Sequence, residues 1–63
     1  MSENLRMKAA RALKALTQRK LAALVGTREI EISRIETGRV SPEAWLRESI
    51  AWELGIQTWE VGA

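Results

Sequence analysis

Breaks at Gly26, Gly38, Pro42 and Gly55 divide this chain into segments that have room only for short helices packed on one another. Leu5, Ala9, Ala12, Leu13 and Leu16 fall at i, i+4, i+7, i+8 and i+11, which predicts a first helix with that stripe buried. Thr17 is the expected cap of a second helix. Leu21, Leu24 and Val25 supply its inner side, and Gly26 is the left-handed residue that ends it. In the third segment, Thr27 to Thr37, Ile30-Glu31-Ile32 alternates as a strand would, but for three residues only. Ile32 and Ile35 at i and i+3, with Thr37-Gly38 as the exit, favour a helix. Ser41-Pro42 reads as N-cap and first-turn proline of a fourth helix that runs to Leu54. Leu46, Ile50 and Leu54 stack along it at i, i+4 and i+8, and Gly55 closes it. Thr58 is the expected cap of one last turn through Val61. The expectation is an all-α, compact, four- to five-helix fold, a single domain over residues 1–63 with no strand, linker or repeat.

Composition narrows the chemistry. The chain has 63 residues and neither Cys nor His. That excludes a disulfide frame, a zinc finger, Cys or His nucleophiles and a Ser-His couple, so no enzyme and no cofactor are expected. The longest apolar run, Leu21 to Val25, is five residues, against the ~20 needed to cross a bilayer. MSENLRMKAARALK is interrupted by charge throughout and has no signal-peptide core. A cytoplasmic protein with no membrane contact is the expectation. Apolar burial in so small a chain roughly balances ordering entropy, so pairing with a second copy would add stability by mass action.

Charge is distributed unevenly. Residues 1–25 carry six cations against Glu3, a surplus of +5, whereas residues 40–63 carry Arg47 against four glutamates, or −3. One half can attract a polyanion while the other repels it.

The most informative stretch is Thr17 to Gly38, TQRKLAALVGTREIEISRIETG. Two short helices flank a tight turn at Val25-Gly26-Thr27, and the second has a polar face. A short helix held clear of the body can enter a DNA major groove, ~12 Å wide, with its first turn on base edges. Ile30, Ser33, Arg34 and Thr37 form a stripe at i, i+3, i+4 and i+7, distinct from the Ile32/Ile35 core pair.

Leu16-Thr17-Gln18, Leu21-Ala22, Val25-Gly26, Ile32-Ser33-Arg34-Ile35-Glu36, Gly38, Pro42 and Leu54-Gly55 together resemble the phage-repressor-type, or Xre/Cro-like, helix-turn-helix family over roughly residues 5–61. The resemblance implies a lambda-repressor-like DNA-binding domain, with the helix-turn-helix core at about 17–37 and the recognition helix at about 28–37. It further implies a nucleoid-associated transcriptional regulator, a repressor, that binds a palindromic double-stranded operator as a homodimer. Gln18 would bridge a phosphate and the first base. Thr27, Arg28, Glu29 and Ile30 would open the recognition helix, Ser33 and Arg34 follow one turn on, and Thr37 and Arg39 would hold the backbone. Glu36 would pair with Arg11 and lock the first helix to the third. Several positions depart from the family's pattern, among them Ile30, apolar where polar readers are common, and Glu29 and Glu31, which repel phosphate. Arg28 stands where a small capping residue is usual, which leaves Thr27 as the candidate cap. Ala15 replaces a turn glycine, and Arg47 replaces an apolar residue.

Trp45, Trp52 and Trp59 recur every seven residues, and at least one indole is expected in the core. In dimers of the family the C-terminal end forms the contact, which points to Trp52, Ile56, Trp59 and Val61. Glu29, Glu31 and Ile30 on the recognition helix motivate the alternative of a protein-interaction or antitoxin-like module, with a protein partner and weak or no DNA binding.

Overall fold

The computed structural model describes residues 4–62. Four α-helices follow one another: α1 (Leu5–Leu13), α2 (Gln18–Val25), α3 (Glu29–Glu36) and α4 (Ala44–Leu54). A 3₁₀ turn at Thr58–Glu60 completes the domain, and no strand occurs among the described residues. Met7, Leu21, Ile32, Ile35, Ile50 and Val61 are wholly buried where the helices converge. Leu16, Val40 and Ile56 pack around this centre.

The first helix turns a different side inward from the one its leucines predict. Met7 and Ala10 are buried, whereas Leu5 and Leu13 project into solvent, Leu13 with 89% of its surface exposed. Polar anchors decide the orientation. Buried Asn4 caps the helix by accepting from Met7 N at 3.1 Å, and its own backbone N–H donates to the Glu36 carbonyl at 2.7 Å. Asn4, Met7, Ala10 and Arg11 share one helical face. Once Asn4 and Arg11 are tied to the end of α3, that face must be the inner one.

Between α1 and α2 the chain passes through Ala15 at φ +54°, a left-handed conformation that a Cβ disfavours. Ala15→Gly should raise the melting temperature by about 2–6 °C. Relief of roughly 1–2 kcal/mol of strain is partly offset by the greater freedom of glycine in the unfolded chain. Thermal melts followed by circular dichroism would check this, and a lower melting temperature would show that the turn is unstrained.

α2 is capped as expected, with Thr17 Oγ1 accepting from Lys20 N at 3.0 Å, and Gly26 ends it at φ +79°. Two later boundaries differ from expectation. α4 starts at Ala44 with Glu43 at the cap position, two residues beyond the proposed Ser41-Pro42 start. Ser41 Oγ instead accepts from Arg47 Nη2 at 2.9 Å. Pro42 is buried against Gly62, whose absent side chain leaves the space its ring occupies. The last turn is capped at Gln57 rather than Thr58.

In that turn Glu60 Oε2 accepts from Gln57 N at 2.7 Å and Oε1 from Arg6 Nε at 2.6 Å. The Gln57 N–H first, and the Arg6 guanidinium second, hold the Glu60 carboxyl below the ordinary glutamate range. A lowered folded value means that the carboxylate contributes stability above the unfolded pKa, and that this contribution is lost as pH falls through the folded one. Glu60→Gln should therefore be less stable than the parent at neutral pH and show a shallower loss of stability on acidification. Denaturant titrations from pH 7 down to about 3 would read both effects.

None of the three tryptophans enters the core; all are exposed, Trp52 by 85% and Trp59 by 72%. The core is built from Met7 and aliphatic side chains in a domain with a radius of gyration of 9.9 Å. Val61 corrects the expected dimer surface. Its side chain is 1% exposed, sealed within the core of its own protomer, so it offers nothing to a second copy. Ile56 is half-buried.

Candidate nucleic-acid interface

The site starts from an ion pair. Arg11 donates to Glu36 through Nε at 2.7 Å and Nη2 at 3.2 Å, and through Nη1 to the Leu16 carbonyl at 2.7 Å. Glu36 is 4% exposed, and its carboxylate also accepts from Gln18 Nε2 at 3.0 Å. One carboxylate thus joins α1, the start of α2 and the end of α3. The Arg11–Glu36 pair is the one the family resemblance implies. The Gln18 bond was not anticipated, because nothing in the spacing of residues 18 and 36 indicates that they meet.

α2 and α3 pack across the Gly26 turn, with Ile32 and Ile35 turned inward and the opposite side of α3 outward. Arg28, not Thr27, occupies the cap position of α3, and no side chain caps it. Glu29 and Glu31 in the first turn complement the helix dipole in place of a cap. Gln18, Glu29, Ile30 and Ser33 line a shallow notch between the start of α2 and α3. On the other flank a wider groove runs between α3 and the start of α4. Thr27, Arg28, Ile30 and Arg34 form one wall, and Pro42, Glu43 and Trp45 face them. Ile30, half-exposed, is the ridge between notch and groove.

Arg28, Glu29, Ile30, Arg34 and Arg39 are exposed, while Gln18, Thr27, Ser33 and Thr37 are half-buried. Arg34 Nη1 lies 4.0 Å from Glu31 Oε1, a loose pair in solvent that leaves the guanidinium available. Thr37 Oγ1 donates to the Ser33 and Arg34 carbonyls at 2.9 and 3.3 Å, closing the helix while its lone pairs remain open. Thr37 and Arg39 lie past the end of α3 and line neither the notch nor the groove. Trp45, read from the sequence only as part of an indole stripe, is a further wall residue of the groove.

Among the described residues no cluster of acidic side chains could hold a metal ion, and no helix is long and apolar enough to cross a membrane. Two helices set across a glycine turn, the second with its outer face open, define a helix-turn-helix DNA-binding domain. Residues 7–44, more than half of the chain, match the family described as helix-turn-helix. The chain belongs to the phage-repressor-type, Xre/Cro-like helix-turn-helix family, a regulatory rather than enzymatic family of DNA-binding domains. No curated protein and no solved structure matches it.

Proposed function

We propose that this protein is a cytoplasmic, nucleoid-associated transcriptional repressor that reads a palindromic operator as a homodimer. The observation that carries the reading is the open outer face of α3, where Arg28, Ile30 and Arg34 stand clear of the core beside Gln18. Arg34 has the shape to grip guanine O6 and N7, Glu29 to accept from cytosine N4, and Ile30 to cover a thymine methyl. Gln18 and Ser33 border the same bases. Thr27, Arg28, Thr37 and Arg39 hold the phosphates on either side. The basic surplus of residues 1–25 attracts a polyanion such as the duplex. Trp52, Trp59 and Ile56 supply apolar surface for the second copy.

Selection of bound duplexes from a random pool is the direct test. The expected product is a palindrome with half-sites one helical turn, ~34 Å, apart. Affinity for it should fall by on the order of 10³ between 50 and 200 mM salt as counterions are released. Recovery of no preferred sequence, or an affinity indifferent to salt, would overturn the reading. A chain that selects no duplex yet captures a protein through its exposed indoles would point instead to an adaptor or antitoxin-like partner. The acidic first turn of α3 favours that second reading.

A further inference from the structure

An acid-rimmed groove lies between the C-terminal end of α2 and α4 and shares Trp45 with the groove beside α3. Leu24, Trp45 and Trp52 form its apolar lining, and Glu48 and Glu53 stand beside them. Indole surface left in water on this scale marks an interaction site. Two copies laid groove to groove would set Glu48 and Glu53 against their own counterparts, and like charges brought together oppose association.

The complement lies on the same chain. Leu13, the most exposed of the large apolar residues, ends α1 and is followed by Lys14, which has no ion-pair partner among the described residues. Both border a second groove, with Arg6, Ala9 and Ile56, whose charge is basic. An exposed apolar side chain beside a cation complements an apolar cleft beside two anions in sign.

We infer that the Leu13–Lys14 end of α1 from a second copy occupies the acid-rimmed groove. Leu13 packs on the indoles of Trp45 and Trp52, and the Lys14 ammonium lies between Glu48 and Glu53. Both grooves take residues from the end of α4, Glu53 in one and Leu54 in the other. In the inferred pair the contact is made twice about a two-fold axis, the self-limiting arrangement of most homodimers. This inference rests on the homodimer reading above and names its surfaces.

Sedimentation equilibrium of the full chain without DNA tests it. The parent should associate, and Lys14→Glu should weaken association by about tenfold or more, as should the pair Glu48→Lys with Glu53→Lys. All three changes together restore opposite charges and should recover association to within about threefold of the parent. Trp52→Ala should dissociate the pair while helical circular dichroism is retained, since the indole lies outside the core. A monomeric parent, a Lys14→Glu variant that associates like the parent, or a triple variant that does not recover would each overturn the inference. DNA is absent from the measurement, so such a failure leaves duplex binding untouched. A chain that pairs as described but selects no duplex would overturn the regulator reading alone.

Discussion

Replacing Arg11 by alanine should lower the melting temperature by about 15–30 °C, the largest effect expected of any single change outside the apolar core. The substitution removes two charge-assisted hydrogen bonds to Glu36 and one to the Leu16 carbonyl. The Glu36 carboxylate stays buried, with only the Gln18 amide to answer its charge. Stranding a charge in this way costs about 3–5 kcal/mol. A domain of this length is stable by roughly 3–9 kcal/mol in total, so the variant sits at the edge of unfolding at room temperature. Replacing both partners with apolar residues, Arg11→Met with Glu36→Leu, should cost far less than the sum of the single changes, because no charge is stranded. Thermal melts of the four proteins give the coupling directly. An Arg11→Ala variant melting within a few degrees of the parent would show that water, not the guanidinium, compensates Glu36.

Arg34→Ala should reduce affinity for the selected operator by about 5- to 150-fold per half-site, equivalent to 1–3 kcal/mol, and relax specificity at one base pair. The side chain projects from the last turn of α3, and its Glu31 partner is too distant and too solvated to compete with a base. Arg39→Ala is the informative comparison. Lying beyond the helix, it should weaken binding to all sequences alike and reduce the salt slope by about one. Fluorescence anisotropy on the operator and its single-base variants separates the two patterns. A uniform loss for Arg34→Ala would assign that residue to the backbone instead.

How far the residues foretold the structure depends on the range of the forces involved. The cap at Thr17, the left-handed stops at Gly26 and Gly55 and the helix over Glu29–Glu36 are decided within a turn or two, and each was legible from neighbouring residues. The face that α1 buries was not. Its leucines point to the opposite face, but Asn4 and Arg11 are tied to Glu36, some 25 to 32 positions away, and helical periodicity carries no record of that tether. The start of α4 was misplaced for a similar reason. Pro42 is occupied with Gly62 at the far end of the chain, so it does not open the helix. The indoles stay outside a core built from Met7 and aliphatic side chains drawn from all four helices and Val61, an assembly that no local window reports. For the candidate interface, the stripe on α3 was legible as an exposed face, whereas the part played by Trp45 in the groove beside it depends on how α3 and α4 lie together.

The bond between Gln18 and Glu36 also constrains how Gln18 can address a ligand. A carboxylate can only accept, so the amide must keep its nitrogen turned toward Glu36 and its oxygen facing away. Rotating the amide by half a turn would set two oxygens against each other in a nearly dry site. Whatever meets Gln18 Oε1 from outside must bring a proton to share, as the exocyclic amines of adenine and cytosine do and a phosphate oxygen does not. The orientation of the Gln18 amide, and so the side its oxygen presents, is thus set from behind by the same residue that holds the helices together.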